Sequence, residues 1–377
     1  MSISKNIFFQ ILMRRIVVAL GIFMLLFQVT LAQGPRENFK FAKFKFDNGD
    51  NREALKFLDL ALSEDSLYES AYALRSEVHY QLGEYYNAIL DINKIFKLEN
   101  SSTTRMGDYY LARAKCFLEL KDYDNTQLDI EKAFSLLSNN AECYYYRAKF
   151  FIATQDYADA ITDLDVSIKI NPKDASYFIL RAETKIMYQK PIKNSDRYRA
   201  ILADFNTAIA LEPKNHETYL ARSNFLNQMD EKEMAIKDYN TVIELSPKKE
   251  EAYSKRGVIK MNNYDYRSAT LDFTRSILIN PNEESNYRYR GLCYNNLNNY
   301  KEAIKDFSKS IDLLTVKIEN SADKDLLKNT LAETYLLRGH CFNLMGSNAQ
   351  SCRDFLMAYN LGVKKGLNYY RKYCGIY

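Results

Sequence analysis

The 377-residue sequence has no tryptophan, only six prolines and only twelve glycines. Chains that stay disordered are commonly rich in proline or glycine and poor in aromatic residues. This sequence instead contains 30 tyrosines and 21 phenylalanines, which excludes a disordered chain and predicts a packed, helix-compatible chain with a substantial core. The length suits either two or three ordinary domains or one long repeat array.

Long apolar runs are also scarce, because the sequence has only one, IVVALGIFMLLFQVTLA, near its start. Basic residues precede this run and small residues end it at Ala32, which is the pattern that an export peptidase reads. We therefore predict that residues 1–32 are a cleaved signal peptide and that the protein is periplasmic or extracellular. The alternative is an uncleaved signal that anchors the chain to the inner membrane, and translation starts at either Met1 or Met13.

A large excess of charge of either sign is absent as well. The formal net charge is +4, and it falls to +1 without residues 1–32, which contain three basic residues and no acidic one. A near-neutral chain with interspersed signs lacks the basic surface of nucleic-acid-binding proteins, so no nucleic-acid partner is expected. A membrane is expected as a partner only if the signal segment is uncleaved.

Sequence signatures of catalysis, cofactor binding and metal binding are missing. The sequence has no Gly-rich phosphate loop, no strand-turn-helix nucleophile motif and no Cys-x-x-Cys pair. The three histidines, His79, His216 and His340, have no metal-ligand spacing to one another or to cysteine. We therefore predict that the protein is not an enzyme and has no catalytic residue, no cofactor and no metal.

What the sequence does contain is a repeat of about 34 residues. The stretch YRYRGLCYNNLNNYKEAIKDFSKSI begins at Tyr287, and similar stretches begin at Tyr253 and Tyr219. Each unit consists of two amphipathic segments with helical periodicity, joined by a short polar turn. Neither helix can bury its apolar face alone, so neighbouring units must stack, which predicts a solenoid.

The recurring residues resemble those of the tetratricopeptide repeat family. A small residue recurs in each first helix, for example Gly257 and Gly291, and an alanine recurs in most second helices, for example Ala303. A proline follows several second helices, for example Pro281, and an aromatic residue stands in the place of the family's tryptophan. The resemblance covers nearly all of the chain after residue 32. It implies an all-α, right-handed superhelical solenoid of about nine tetratricopeptide helix-turn-helix repeats with a C-terminal capping helix.

The expected domain organisation follows from the repeat. The array should span residues 33–362, and residues 363–377 should form the capping helix. The fifth repeat carries extra residues around 189–200, where Pro191 is expected to break the helix and a longer turn to protrude. The eighth repeat continues around 312–334, which predicts a longer second helix and a longer helix after it.

One basic and one acidic residue recur together. Arginine holds the same first-helix place eight times and aspartate the same second-helix place eight times, as in Arg256 with Asp272 and Arg290 with Asp306. In the first repeat both are replaced together, by phenylalanine. Because the arginine and the aspartate are present together in eight repeats and replaced together in one, we infer that they contact each other. A catalytic centre is not expected in eight copies in one chain. We therefore interpret the pairs as structural ion pairs between the two helices of a repeat.

The six cysteines divide into two groups. Cys352 and Cys374 flank the last helix-turn-helix, and exported proteins that resemble this one often end in a similar cysteine-bounded capping unit. The resemblance therefore implies a disulfide between them, and the alternative is two free thiols. The sequence does not tell how the other four are paired; they are Cys116, Cys143, Cys293 and Cys341.

In the tetratricopeptide repeat family the first helices line a concave groove that binds peptides or partner proteins. The corresponding places here are aromatic and basic in the early repeats and rich in amide side chains in the late repeats. The candidate groove residues are Tyr80, Tyr145, Lys149, Asn224, Asn227, Gln228, Asn262, Arg288, Asn295, Asn296, His340 and Asn343. For Asn295 and Asn296 the alternative is a solvated polar turn. The family's clamp for acidic chaperone tails is not assembled in this sequence, so no such ligand is expected.

The sequence therefore predicts a non-enzymatic scaffold of the cell envelope that binds a protein or peptide partner in the concave groove. Two alternatives stay open: a membrane-anchored envelope assembly or secretion factor, and a regulatory subunit of an envelope enzyme. The identity of the partner and the oligomeric state cannot be read from the sequence.

Overall fold

The computed structural model describes residues 34–98, 103–321 and 324–375. The predicted signal peptide, residues 1–32, lies outside the described residues. Within those ranges the chain forms nineteen α-helices and no β-strand, so the predicted all-α class is confirmed. None of the described helices combines the length and the apolar character that a membrane span requires.

The chain divides into two compact units, and the first of them ends at Lys173. Its described part contains four helical hairpins, in each of which an odd-numbered helix packs on the even-numbered helix that follows. The first helices of consecutive hairpins also contact one another. The helices are α1 (Pro35–Asp47), α2 (Asn51–Glu64), α3 (Glu69–Gln81), α4 (Tyr85–Ile95), α5 (Thr103–Glu119), α6 (Tyr123–Leu136), α7 (Ala141–Ala153) and α8 (Tyr157–Ile170).

The second unit begins at Asp174 and contains five further hairpins and a final helix, α19, that packs on α18. The first helices α13, α15 and α17 contact one another in series. The helices are α9 (Ala175–Tyr188), α10 (Asp196–Leu211), α11 (His216–Gln228), α12 (Lys232–Leu245), α13 (Glu250–Asn262), α14 (Tyr266–Ile279), α15 (Glu284–Asn296), α16 (Tyr300–Asn320), α17 (Lys324–Leu344), α18 (Asn348–Asn360) and α19 (Lys365–Cys374).

The two helices of a hairpin approach most closely at the small residue of the first helix. A Cβ atom added to Gly291 would lie 2.8 Å from a ring carbon of Phe307, and one added to Gly339 would lie 2.9 Å from Phe355. Both phenylalanines are fully buried, so their rings cannot easily move away. The close packing of helix against ring therefore explains why glycine recurs at this place.

The tyrosine near the start of a first helix ties that helix to the turn before it. The hydroxyl of Tyr287 donates a hydrogen bond of 3.1 Å to the carbonyl oxygen of Pro281. Tyr253 makes the equivalent bond to Pro247, at 3.4 Å. Because proline ends the preceding helix and the tyrosine fixes the turn, the two recurring residues set the connection between repeats together.

The fifth repeat has a longer turn, which runs over residues 189–195 between α9 and α10. Within it Pro191 is buried, whereas its neighbour Ile192 is 76% exposed. The hydroxyl of Ser195 then accepts a hydrogen bond from the backbone N–H of Tyr198 and so caps α10. The extra residues expected around 189–200 are thus divided between an anchored turn and the first turn of α10.

The eighth repeat has two long helices, because α16 and α17 each contain 21 residues. Their additional turns pack on each other through an apolar cluster that includes Leu314, Ile318, Leu327 and Leu331. The extended segment around 312–334 is therefore supported by its own small core rather than projecting as single helices.

Candidate functional site

The recurring arginines and aspartates contact each other in every repeat that has them. Arg290 donates from Nε and Nη2 to the two carboxylate oxygens of Asp306, each at 2.8 Å. Arg256 forms the same two-pronged contact with Asp272, at 3.0 and 2.5 Å. The other six pairs are Arg75–Asp91, Arg113–Asp129, Arg147–Asp163, Arg181–Asp204, Arg222–Asp238 and Arg338–Asp354. The aspartates are buried, which places these charges in the packing between helices.

The third donor of several of these arginines reaches the repeat before it, a contact that was not predicted from the sequence. Nη1 of Arg290 donates to the hydroxyl of Thr274 at 3.1 Å, and Nη1 of Arg338 donates to the hydroxyl of Ser308 at 3.0 Å. Each acceptor stands two residues after the aspartate of the preceding pair. The arginine therefore joins neighbouring repeats as well as the two helices of its own repeat.

The first repeat replaces this ion pair with an aromatic contact. Phe41 and Phe57, which occupy the places of the arginine and the aspartate, stack with their ring centroids 5.7 Å apart. The same site between two helices is thus filled either by a hydrogen-bonded charge pair or by two apolar rings. This exchange indicates a packing role for the pair.

A cleft of the second unit lies on three consecutive first helices, α11, α13 and α15. It is open to solvent and has a volume of about 550 Å³. Of the predicted groove residues, Asn227 lines it. The complete lining is Asn227, Glu250, Glu251, Ser254, Lys255, Val258, Glu283, Ser285 and Tyr289.

Several predicted groove residues of the second unit take part in contacts within the protein. Asn224 accepts a hydrogen bond of 2.6 Å from the hydroxyl of Tyr239, and its amide donates to Glu251 at 3.2 Å. The side-chain oxygen of Asn295 accepts a hydrogen bond from Cys341. Asn296 donates to the backbone of its own helix at Leu292. These amides therefore hold neighbouring helices or their own turn, in addition to any role toward a ligand.

The remaining predicted residues of this face have more freedom. Gln228 and Asn262 are exposed, and Asn343 is half-buried. The guanidinium of Arg288 lies 5.0 Å from the ring centroid of Tyr289, and its Nε is buried without a hydrogen-bond partner. Arg288 therefore packs its guanidinium near the ring of Tyr289, and its Nε is enclosed by the protein.

His340 is placed differently from the other predicted groove residues, because it packs against the final helix. Its ring lies edge-on against Phe355, at 5.4 Å between centroids, and against Tyr369 of α19, at 4.4 Å. Burial, and after it the positive charge of Lys372, lower the pKa of His340. The half-buried ring also lines a pocket of about 470 Å³ that is open to solvent, between the last repeat and α19.

We expect acidification to weaken this contact. A histidine whose pKa is lowered by folding takes up protons on unfolding, so its contribution is complete above the unfolded value of about 6.5 and is lost as the pH falls below it. Protection factors of the amides in α19, which are corrected for the intrinsic pH dependence of exchange, should therefore fall between about pH 7 and pH 5. In the variant His340→Phe this fall should be absent, and an unchanged pH dependence of the protection factors in the variant would refute the assignment.

In the first unit, the predicted groove residues form a connected set of polar and aromatic contacts. The Lys149 ammonium lies 3.7 Å from Glu119 and 5.2 Å from the ring centroid of Tyr146. The hydroxyl of Tyr80 donates to the same glutamate at 3.5 Å, and burial raises the pKa of Tyr80. Tyr145 packs edge-on against Tyr146 at 5.3 Å. These side chains stabilise contacts between neighbouring first helices.

The cysteines fall into the two groups that the sequence suggested. Cys352 of α18 and Cys374 of α19 form a disulfide, with 5.8 Å between their Cα atoms. The other four cysteines are free and buried; they are Cys116, Cys143, Cys293 and Cys341. Burial raises the pKa of Cys293 to about 12, so the reactive thiolate form is disfavoured there. In the described ranges no group of three or more His, Cys, Asp or Glu side chains could hold a metal ion.

Comparisons with known proteins agree with a helical repeat. A tetratricopeptide repeat model matches residues 216–249 and 290–313, and a model of anaphase-promoting complex, cyclosome, subunit 3 matches residues 47–127. No curated protein sequence matches the chain.

Among solved structures, the chain is similar to a tetratricopeptide repeat protein from Parabacteroides merdae, with 21% identity, a TM-score of 0.48, and coverage of 69% of this chain and 98% of that one. It is similar to yeast Tom70 with 13% identity, a TM-score of 0.41, and coverage of 91% and 89%. It is also similar to YrrB, described as a TPR protein with an unusual peptide-binding site, with 19% identity, a TM-score of 0.36, and coverage of 49% and 90%.

Proposed function

We propose, because the chain belongs to the tetratricopeptide repeat family, that it is a non-enzymatic scaffold that binds a protein or peptide partner on the first helices of its second unit. The observation that carries this proposal is the cleft on α11, α13 and α15, which is open to solvent and large enough for several residues of an extended chain. Its lining combines amide, hydroxyl and carboxylate groups with the apolar side chains of Val258 and Tyr289. Such a surface can bond a peptide backbone and also accept a side chain.

We further propose that the scaffold works in the cell envelope, in the periplasm or outside the cell. The signal-like sequence of residues 1–32 supports this location. The disulfide between Cys352 and Cys374 supports it independently, because disulfides persist in oxidising compartments.

The alternative is an envelope assembly factor that keeps residues 1–32 as a membrane anchor. It is favoured by the apolar run there, which falls only slightly short of a membrane-spanning length. The two proposals differ in whether residues 1–32 remain on the mature protein. The mass of the protein purified from its own cells decides between them.

Photo-crosslinking from the first helices tests the scaffold proposal. A photoreactive residue at Asn227 or at Asn295 should capture the same partner in cells, identified by mass spectrometry. The matched control is a photoreactive residue at Leu271, which is 72% exposed but stands on the second helix α14. Absence of capture from both first-helix positions, or equal capture from Leu271, would contradict the proposal.

A further inference from the structure

The cleft of the second unit carries an excess of negative charge. Three carboxylates line it, those of Glu250, Glu251 and Glu283, against the single ammonium of Lys255. Within the described residues none of the three carboxylates forms an ion pair. Glu250 accepts hydrogen bonds from the amide of Asn286, at 2.7 Å, and from a serine hydroxyl of α14. Glu251 accepts one amide hydrogen bond, from Asn224.

Glu283 is the least compensated of these groups. It stands next to Glu284, whose carboxylate is contacted by the Lys317 ammonium at 3.1 Å, whereas Glu283 itself forms no ion pair with any residue that the structure describes. Ser285 donates a hydrogen bond of 2.9 Å to Glu283. Burial, and after it the hydrogen bond with the neighbouring Glu284, raise the pKa of Glu283, because both disfavour its charged form. A cation placed beside Glu283 in the cleft would favour the charged form.

The same cleft also offers an apolar surface and donors for a backbone. Val258 and Tyr289 are half-buried on neighbouring first helices and line the cleft between the carboxylates. Lysine and arginine place their aliphatic stems on apolar surface while the charged end reaches a polar group. Asn227 also lines the cleft, and its amide can bond a main-chain group.

We propose that this cleft binds a lysine or arginine side chain from an extended basic segment of the partner protein. The charged end lies between Glu251 and Glu283, and the stem lies on Val258 and Tyr289. The inference rests on the proposed scaffold function and adds the chemistry of its partner. A nucleic acid is unsuited to the site, because its phosphates would meet the three carboxylates.

Three degenerate peptide pools of equal length test the inference on the full mature chain. Alternate positions are fixed as arginine in the first pool, glutamine in the second and glutamate in the third, and each pool carries a fluorophore. By fluorescence anisotropy at low salt, the arginine pool should bind at least about tenfold more tightly than the glutamine pool, and the glutamate pool more weakly than both. Added salt should reduce the difference. Equal binding of the three pools, or no binding of any, would overturn the inference.

Matched variants locate the effect. The double change Glu251→Gln with Glu283→Gln should weaken binding of the arginine pool by about tenfold and leave the glutamine pool unchanged. Glu244→Gln, on the exposed end of α12, makes the same kind of charge change outside the cleft and should have little effect. Lys255→Gln removes the competing cation and should tighten binding of the arginine pool. If Glu244→Gln weakens binding of the arginine pool as much as Glu251→Gln alone, the preference for arginine comes from the net charge of the protein, and the proposed site is refuted.

The two experiments fail in different ways. If photoreactive residues at Asn227 and Asn295 capture one partner but the three pools bind equally, the scaffold proposal stands and the proposed preference for basic segments is wrong. The opposite result is also informative. If the arginine pool binds preferentially but photoreactive residues at Asn227 and Asn295 capture no partner in cells, the cleft chemistry stands and the proposed use of the first helices in the cell is contradicted.

Discussion

Replacing Arg290 with methionine should lower the free energy of unfolding of the second unit by about 3–5 kcal/mol, because the change leaves a buried carboxylate without its partner. Asp306 is 6% exposed and receives two hydrogen bonds from Arg290. The same change removes the bond to Thr274 and so loosens the contact with the preceding repeat. Urea unfolding followed by circular dichroism, with amide exchange in α15 and α16, measures the effect.

The matched control is Arg288→Met, two residues away on the same helix. Arg288 carries the same charge and stacks on Tyr289 but has no carboxylate partner, so we expect a loss of only about 0.5–1 kcal/mol. A double-mutant cycle with Asp306→Leu then isolates the pair. A coupling energy of about 2 kcal/mol or more is expected for this buried, two-pronged contact, whereas coupling near zero would show that the pair does not stabilise the fold.

The fold could be predicted from the sequence because the same residue types recur at fixed places in the repeat. A single Arg290 and Asp306 carry little information, but eight copies at fixed places, with a joint replacement by Phe41 and Phe57, indicate contact. Recurrence at Gly291 in the same way indicated close packing, which the ring of Phe307 explains. Such patterns report the average repeat, so they predict what all repeats share.

Features that depend on the neighbours of one repeat were harder to predict. The acceptor of the third arginine donor varies in type, so no single residue identity recurs in every repeat. It is an aspartate, an asparagine, a threonine or a serine, at Asp59, Asn93, Asn206, Asn240, Thr274 and Ser308. Its constant spacing after the aspartate was the available signal. Similarly, the position of His340 on its helix predicts the inner face, but only the three-dimensional placement of α19 shows that the ring packs against Tyr369.

The acidic character of the cleft was missed for a related reason. Glu250 and Glu251 stand in the first turn of α13, and Glu283 precedes the first turn of α15, where acidic residues are common because they stabilise helix N-termini. Stabilisation of a helix N-terminus is a sufficient explanation for each of these glutamates when it is considered alone. Only the stacking of consecutive first helices brings the three carboxylates to one cleft. The residues predicted from the sequence to face a ligand on these helices were mainly amides.

Replacing both Cys352 and Cys374 with serine should destabilise the docking of α19 by about 3 kcal/mol, because the disulfide closes a loop with a sequence separation of 22 residues. Without it the final helix is held mainly by Tyr369 and Tyr373, which pack on Phe355. Amide exchange in α19 and in the second half of α18 should therefore become faster by about two orders of magnitude. The measurement compares the oxidised protein with the serine variant at the same pH.

Reduction of the unmodified protein provides the matched control. A reductant should accelerate exchange in α19 of the cysteine-containing protein to the rate of the serine variant, and it should leave the variant unchanged. Because each repeat contacts only its neighbours, exchange in α11 to α14 should stay the same in all four samples, which are the protein and the variant with and without reductant. Equal rates in α19 before and after reduction would show that side-chain packing alone fixes the final helix, and acceleration throughout the second unit would show that its repeats unfold together with the final helix.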